Sequence, residues 1–208
     1  MTGAANILIL IPAAGASRRM GLRDKCLERI GGEPALRRAA RLALSTGAGV
    51  LVSLPVSGPR LEGRVAALAG LAVKSVGIDA AEEGMAASLR AGARAAQVLG
   101  AQGLLILLPD MPGIDAGDLC ALTGFFADDP HRPARAAGAD GRPGHPVIFP
   151  ATLFADVMRL QGDTGARAIL HAHPARLYPL AGDRALRDLD TAEDWDSWHA
   201  EACSGGPA

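Results

Sequence analysis

Residues 6–21 read NILILIPAAGASRRMG, and Lys25 follows shortly after. Side chains alternate between the two faces of a sheet, so an almost unbroken Ile/Leu run suits a central parallel strand buried on both sides. At Pro12 the run gives way to small residues with Gly15 and Gly21, which let backbone amides approach a ligand closely. A strand that ends in a binding loop is the expected first unit.

The pattern then alternates. Pro34 can open a helix over PALRRAARLALSTG, where Leu36, Ala40 and Ala43 or Leu44 recur at helical spacing, and Gly47 or Gly49 ends it. GVLVSLP reads as a strand, GRVAALAG as a short helix, LAVKSVG as a strand, and EEGMAASLRAGARAAQVLG as a longer helix leading into the strand LLILLPDMPG. Helices alternating with strongly apolar strands predict a three-layer α/β/α architecture of Rossmann-like type around a mostly parallel sheet. The second half is less regular. DAGDLCALTGFFA, ATLFADVMRL, DTGARAILHAH and TAEDWDSWHAEA read as helices, and RPARAAG, ARLYPL and ALRDLD as strands. A Gly/Pro-rich loop, ADGRPGHP, is expected before a further short strand.

The 208 residues suit one domain over 1–203, with the closing SGGPA (204–208) as a frayed tail. Hydrophobic residues at 49% against 21% charged can fill a core, which excludes wholesale disorder. The formal net charge of −1 gives no global field for nucleic acid or an anionic bilayer, although a local positive site would still hold a small phosphate ligand. Cys26, Cys120 and Cys203 are scattered and odd in number, so no disulfide framework or CxxC cluster is visible. The short apolar run near the N terminus lacks a preceding basic segment and is too brief to span a bilayer, so a cytoplasmic location is expected.

Four segments can carry chemistry. In the loop, the amides around Ala13, Ala14, Gly15, Met20 and Gly21 can face phosphate oxygens, with Arg18 and Lys25 adding positive charge. An ordinary tight turn would have the same composition, and neither GKS/GKT nor GxGxxG is present. Asp110, in LLPDMP, follows a buried strand and so stands at the carboxyl edge of a parallel sheet, where it can cap a turn or offer a hard oxygen to Mg²⁺. Asp188 and Asp190 alternate in an extended stretch, and either could complete a metal site with Asp110. In GRPGHPV, Arg142 and His145 can face an anionic or heterocyclic ligand or belong to a rigid turn. The remaining histidines, including His171 and His173 of HAH, show no zinc-ligand pattern, and no serine sits in a GxSxG elbow.

Taken in order, AAGASRRMG with Lys25, EGMAASLRAG (83–92), LPDMPG (108–113), GRPGHPVIF (141–149), GDTGAR (162–167) and DLDTAEDW (188–195) resemble the MobA-like nucleotidyltransferase family, and within it the molybdenum cofactor cytidylyltransferase group. The resemblance implies that the loop and Lys25 hold nucleotide phosphates, that Asp110 binds Mg²⁺ with Asp190 as second ligand and Asp188 as the close alternative, and that Gly84, Met85, Ser88 and Leu89 line the base or ribose side. It places Arg142 and His145 toward a pterin acceptor. One departure is that Gly21-Leu22-Arg23-Asp24-Lys25 is about one residue longer than the usual approach to the lysine, which leaves Arg23 as a substitute. The implied reaction is Mg²⁺-dependent transfer of a cytidylyl group from CTP to a molybdopterin-type cofactor with release of pyrophosphate, and a molybdenum hydroxylase is the implied partner. GTP, another phosphorylated acceptor, or a non-catalytic cofactor-binding role are the alternatives.

Overall fold

The computed structural model describes residues 6–79, 84–162 and 166–203. The first strand, β1 (Ile7–Pro12), is buried along its length as its composition requires. A 3₁₀ turn over Arg18–Met20 leads to a small antiparallel pair, β2 (Arg29–Ile30) and β3 (Glu33–Pro34), which the sequence pattern did not reveal. Then come α1 (Ala35–Ser45), β4 (Gly49–Pro55), α2 (Leu61–Ala67), β5 (Lys74–Ile78), α3 (Met85–Val98) and β6 (Gly103–Ile106). The second half holds α4 (Ala116–Ala127), β7 (Ala134–Ala137), β8 (Pro143–Pro150), α5 (Phe154–Val157), α6 (Arg167–Ala172), β9 (Arg176–Pro179) and α7 (Ala192–Cys203).

Seven strands form one sheet in the order β5-β4-β1-β6-β8-β7-β9, and only β8 runs against the others. The alternation of β1 divides the core. Ile7, Ile9 and Ile11 pack with Leu36, Ala39 and Ala40 of α1 and Leu119, Leu122 and Phe126 of α4. Leu8 and Leu10 pack on the opposite face with Ala86, Leu89 and Ala93 of α3 and Phe154 and Val157 of α5. The expected three-layer α/β/α arrangement follows from that division. Among the described residues no helix is long and apolar enough to cross a membrane.

Three expectations are corrected. GRPGHP is not all loop, because β8 already begins at Pro143, and the few residues from Gly138 to Arg142 close a hairpin through Gly138 N–H donating to Arg142 O (2.9 Å). A connection that short cannot be a parallel crossover, so β8 must be antiparallel to β7. ALRDLD is not a strand but an irregular segment. ATLFADVMRL forms only a 3₁₀ turn over Ala151–Leu153 and the short α5. The 204–208 tail lies outside the described residues.

The irregular 183–190 segment lies against glycines. A Cβ at Gly144 would stand 1.9 Å from Ala185 O, one at Gly138 2.6 Å from Leu186 Cδ1, and one at Gly113 3.2 Å from Arg184 Cα. His145 N–H donates to Ala185 O (2.8 Å) at the same crossing. The His145 Nδ1 is buried with no hydrogen-bond partner among the described residues. Burial, and then the Arg135 charge, lower its pKa from 6.5 to about 4.

Gly144→Ala is expected to destabilise by about 1–3 kcal/mol, because a backbone carbonyl fills the added methyl's place. Gly124→Ala, in the interior of α4 with open space around it, is expected to stabilise by about 0.5–1 kcal/mol. Urea titrations of both variants check the opposite signs. The folded state takes up a proton on His145 less readily than the unfolded chain. Its contribution is therefore present above pH 6.5 and lost as pH falls toward 4, up to about 3 kcal/mol. Denaturant midpoints across that window should fall less steeply for His145→Asn than for the parent, and equal slopes would refute the assignment.

Candidate active site

The site is built where the carboxyl ends of β1 and β6 meet the loop after β1. Ala13 N–H donates to Ser53 O (3.0 Å) and approaches Ser53 Oγ (3.3 Å), which in turn bonds Ser88 Oγ (2.9 Å), so the loop starts firmly on β4 and α3. Beyond that anchor, the amides of Ala14, Gly15 and Ala16 have no intramolecular partner among the described residues. Three successive free amides in a turn form a concavity suited to phosphate oxygens.

The loop is clasped from beneath by Arg64. This side chain is fully buried, donates from Nε to Asp24 Oδ2 and from Nη2 to Asp24 Oδ1 (both 2.8 Å), and from Nη1 to Ala13 O (2.7 Å). Asp24 also accepts from Cys26 N–H (3.1 Å) and Ser17 Oγ (3.4 Å). Asp24 thus turns inward and is neutralised, while its neighbour Lys25 turns outward to the site. Sequence reading missed Arg64. The available signal was a single arginine inside GRVAALAG, where α2 otherwise presents small apolar residues.

Lys25 Nζ donates to Asp110 Oδ2 (2.5 Å) and to Asp190 Oδ1 (3.2 Å), and Asp190 Oδ2 also takes Arg19 Nη1 (2.5 Å). Burial opposes charge on Lys25, but the Asp110 and Asp190 carboxylates outweigh it and hold the ammonium above its usual range. Lys25 rather than Arg23 therefore reaches the site, since Arg23 is occupied by Glu28 and Asp196. The pairing of Asp110 with Asp190 comes from one backbone bond, Leu189 N–H to Asp110 O (3.0 Å). Leu189 is itself fixed in a cluster with Met20, Ile30, Ala35 and Trp195, and its carbonyl accepts from Trp195 Nε1 (2.9 Å). Asp188 is more exposed, and burial followed by the charges of Asp190 and Asp110 raises its pKa, which places it beside the pair. Arg38 holds the turn after Asp110 by donating to the carbonyls of Pro112 (2.8 Å) and Ile114 (2.7 Å).

Asp110 Oδ1 is buried and has no hydrogen-bond partner among the described residues. An orphaned carboxylate oxygen of this kind, next to a second carboxylate already sharing a cation, fits a hard divalent ion such as Mg²⁺. Among the described residues no three His, Cys, Asp or Glu side chains gather as a ready metal site, so Asp110 and Asp190 would supply two ligands and phosphate and water the rest.

A cavity of about 340 Å³ here is lined by Ala13, Gly15, Ser17, Arg19, Lys25, Cys26, Gly84, Met85, Ser88 and Asp190. Several expected residues are therefore together, and others stand apart. Met20 is buried in the cluster with Leu189 and Trp195, so its side chain anchors the loop and does not face the cavity. Gly21, at φ 60°, makes the turn and gives its carbonyl to Arg60. Ala14 packs against Ile78 and Ala87. The side chain of Arg18, residues 80–83 and residues 163–165 of GDTGAR lie outside the described part. Burial pushes the Cys26 thiol up to about 12, which removes it as a nucleophile.

A second cavity of about 880 Å³ shares Met85 with the first and extends over Leu89, Ile106, Arg135, His145, Val147, Phe149, Arg167 and Leu170. His145 lines it. Arg142 does not, because its exposed guanidinium is tied to Asp140 (2.6 Å) by the hairpin turn. Arg135 and Arg167 were not singled out from the sequence.

Residues 9–177 match the model of the MobA-like NTP transferase domain. The purine catabolism protein PucB of Bacillus subtilis (strain 168) is 31% identical over 119 residues, 56% of this chain and 56% of PucB, so the chain spans about half the length of that curated relative. Rv0371c of Mycobacterium tuberculosis H37Rv superposes with a TM-score of 0.79 at 29% identity, covering 93% of this chain and 97% of the other. Rv0371c in complex with manganese gives a TM-score of 0.74 at 27% identity, covering 92% and 97%. The family match begins inside β1 and ends inside β9, taking in the loop, Lys25 and Asp110 on the way, and the chain therefore belongs to the MobA-like NTP transferase family.

Proposed function

We propose that the protein is a nucleotidyltransferase that moves the cytidylyl group of CTP onto the terminal phosphate of a molybdopterin-type cofactor, with pyrophosphate leaving. The observation that carries the transfer reaction is the meeting of Asp110 and Asp190 on Lys25, beside the free amides of Ala14, Gly15 and Ala16. The choice of CTP and of a pterin acceptor rests on the likeness of GRPGHPVIF and its companion motifs to the cytidylyltransferase group.

In this reading an oxygen of the acceptor phosphate bonds to the α-phosphorus of CTP while the bond to the β-phosphate bridging oxygen breaks. A terminal phosphate monoester is already largely ionised near neutral pH, so no protein base or nucleophile is required. The loop amides, Lys25 and Arg19 hold the triphosphate and offset the negative charge that builds at the α-phosphate and on the departing pyrophosphate. Asp110 and Asp190 would hold Mg²⁺, which when bound neutralises phosphate oxygens. The protein's own task is to place two polyanions in line, which is a positioning task above all.

Asp110→Asn is expected to lower Mg²⁺-dependent pyrophosphate release by about 10²-fold or more while the protein stays folded. CTP should be turned over in strong preference to GTP with the same molybdopterin acceptor, and equal rates would remove the cytidylyl assignment. Nucleotide binding with no pyrophosphate formed from any phosphorylated acceptor would leave a cofactor-binding accessory role. Arg64→Met leaves Asp24 buried and unpaired, and is expected to cost about 3–5 kcal/mol of stability. At a temperature where it remains folded, its KM for CTP should rise at least about tenfold with the acceptor KM little changed. An unaltered KM for CTP would mean that the clasp supports the fold alone.

A further inference from the structure

We infer that the cavity behind Met85 is a site for an amphipathic anion, and that the acceptor carries a second anionic group, separate from its reacting phosphate, which Arg135 and Arg167 grip; this rests on the transferase reading above. Arg135 of β7 pairs in register with Val147 of β8, which pairs with Ile106 of β6. Two strand spacings put the Arg135 backbone roughly 10 Å from β6, and Ile106 lies well before Asp110 along the chain. Arg135 Nε is held by Gly144 O (2.7 Å), which restrains the guanidinium from swinging to the catalytic pair.

Among the described residues the charges lining this cavity are all positive. Among the described residues no carboxylate lines it, and neither arginine forms an ion pair. Arg135 spends its donors on the carbonyls of Gly144 and Pro143. Burial, and then the charge of Arg167, lower the pKa of Arg135, so the two guanidinium groups repel across the space. An anion between them relieves that repulsion and makes charge-assisted hydrogen bonds. Leu89 and Phe149 supply apolar wall for the body of the ligand.

The test uses two fluorescent probes with the same aromatic body, 8-anilino-1-naphthalenesulfonate and the uncharged N-phenyl-1-naphthylamine, and needs neither CTP nor acceptor. One sulfonate probe should bind per chain. Arg167→Glu, at an exposed position, should weaken the sulfonate at least about tenfold and leave the neutral probe unchanged. Arg135→Gln should do the same if folded by circular dichroism, and Ala168→Trp, which narrows the cavity, should weaken both probes. No sulfonate binding, several equivalent sites, or equal affinity in Arg167→Glu and the parent would overturn the proposal. Turnover separates the two readings. If molybdopterin is not a substrate but the probe results hold, the anion site stands and the acceptor assignment fails. If transfer proceeds in Arg167→Glu and Arg135→Gln with an unchanged acceptor KM, the transferase reading stands and the second anionic group is wrong.

Discussion

The phosphate-facing loop depends on an ion pair that never reaches the ligand. Arg64 and Asp24 are both buried, and taking two charges out of water is costly unless their geometry satisfies them. Here two 2.8 Å bonds link them, and the remaining donors and acceptors go to Ala13 O, Ser17 Oγ and Cys26 N–H. Those partners lie at both ends of the loop. A hydrophobic pair of similar volume could fill the space, but it would not fix the separation of Ala13 from Cys26, and Lys25 would lose its aim. The charge pair underneath thus fixes both flanks of the loop that carries the free amides.

The second requirement is that a segment far along the chain arrive beside Asp110. The 183–190 stretch has no regular secondary structure to guide it, so its path is set by close contact and capping. Gly113, Gly138 and Gly144 lie against Arg184, Leu186 and Ala185, at distances where side chains would intrude. Leu189, between Asp188 and Asp190, buries with Met20 and Trp195, while the Asp194 carboxylate accepts from the amides of Asp190 and Thr191 at the start of α7. Met20 links the nucleotide loop to the carboxylate-bearing segment through this same cluster. That explains why a methionine in the loop motif is buried when a ligand-facing role was expected.

What the sequence disclosed follows from the range of the forces involved. β1, the loop, α1 and β6 are local patterns, and their apolar runs, glycines and proline decide them without help from elsewhere. Asp110 stood out because it directly follows a strongly apolar run, and Lys25 because it follows the glycine-bearing loop. The antiparallel course of β8 was hidden because GRPGHP reads as a breaker, and only the hairpin closure by Gly138 and Arg142 turns its second half into strand. Ser53 and Arg38 were not visible at all, and Arg64 showed only as a lone arginine in GRVAALAG. Each acts through a partner 35 or more residues away in sequence, on a carbonyl, a buried hydroxyl or a buried carboxylate, and no local spacing encodes that.

The two cavities meet at Met85, and their electrostatics differ in kind. On the loop side the described charges pair closely: Lys25 with two carboxylates, Arg19 with Asp190, Asp24 with Arg64. A triphosphate entering there must displace Lys25 or Arg19 from these pairs, so its binding is an exchange of anions around fixed cations. On the other side Arg135 and Arg167 line one cavity without a carboxylate among the described residues, and Arg135 donates only to the carbonyls of Gly144 and Pro143. Exchange makes the first cavity sensitive to the metal that would compensate Asp110 and Asp190, whereas the second can bind without one. In the proposed reaction a divalent metal on Asp110 and Asp190 would therefore couple to the nucleotide, whose arrival frees those two carboxylates.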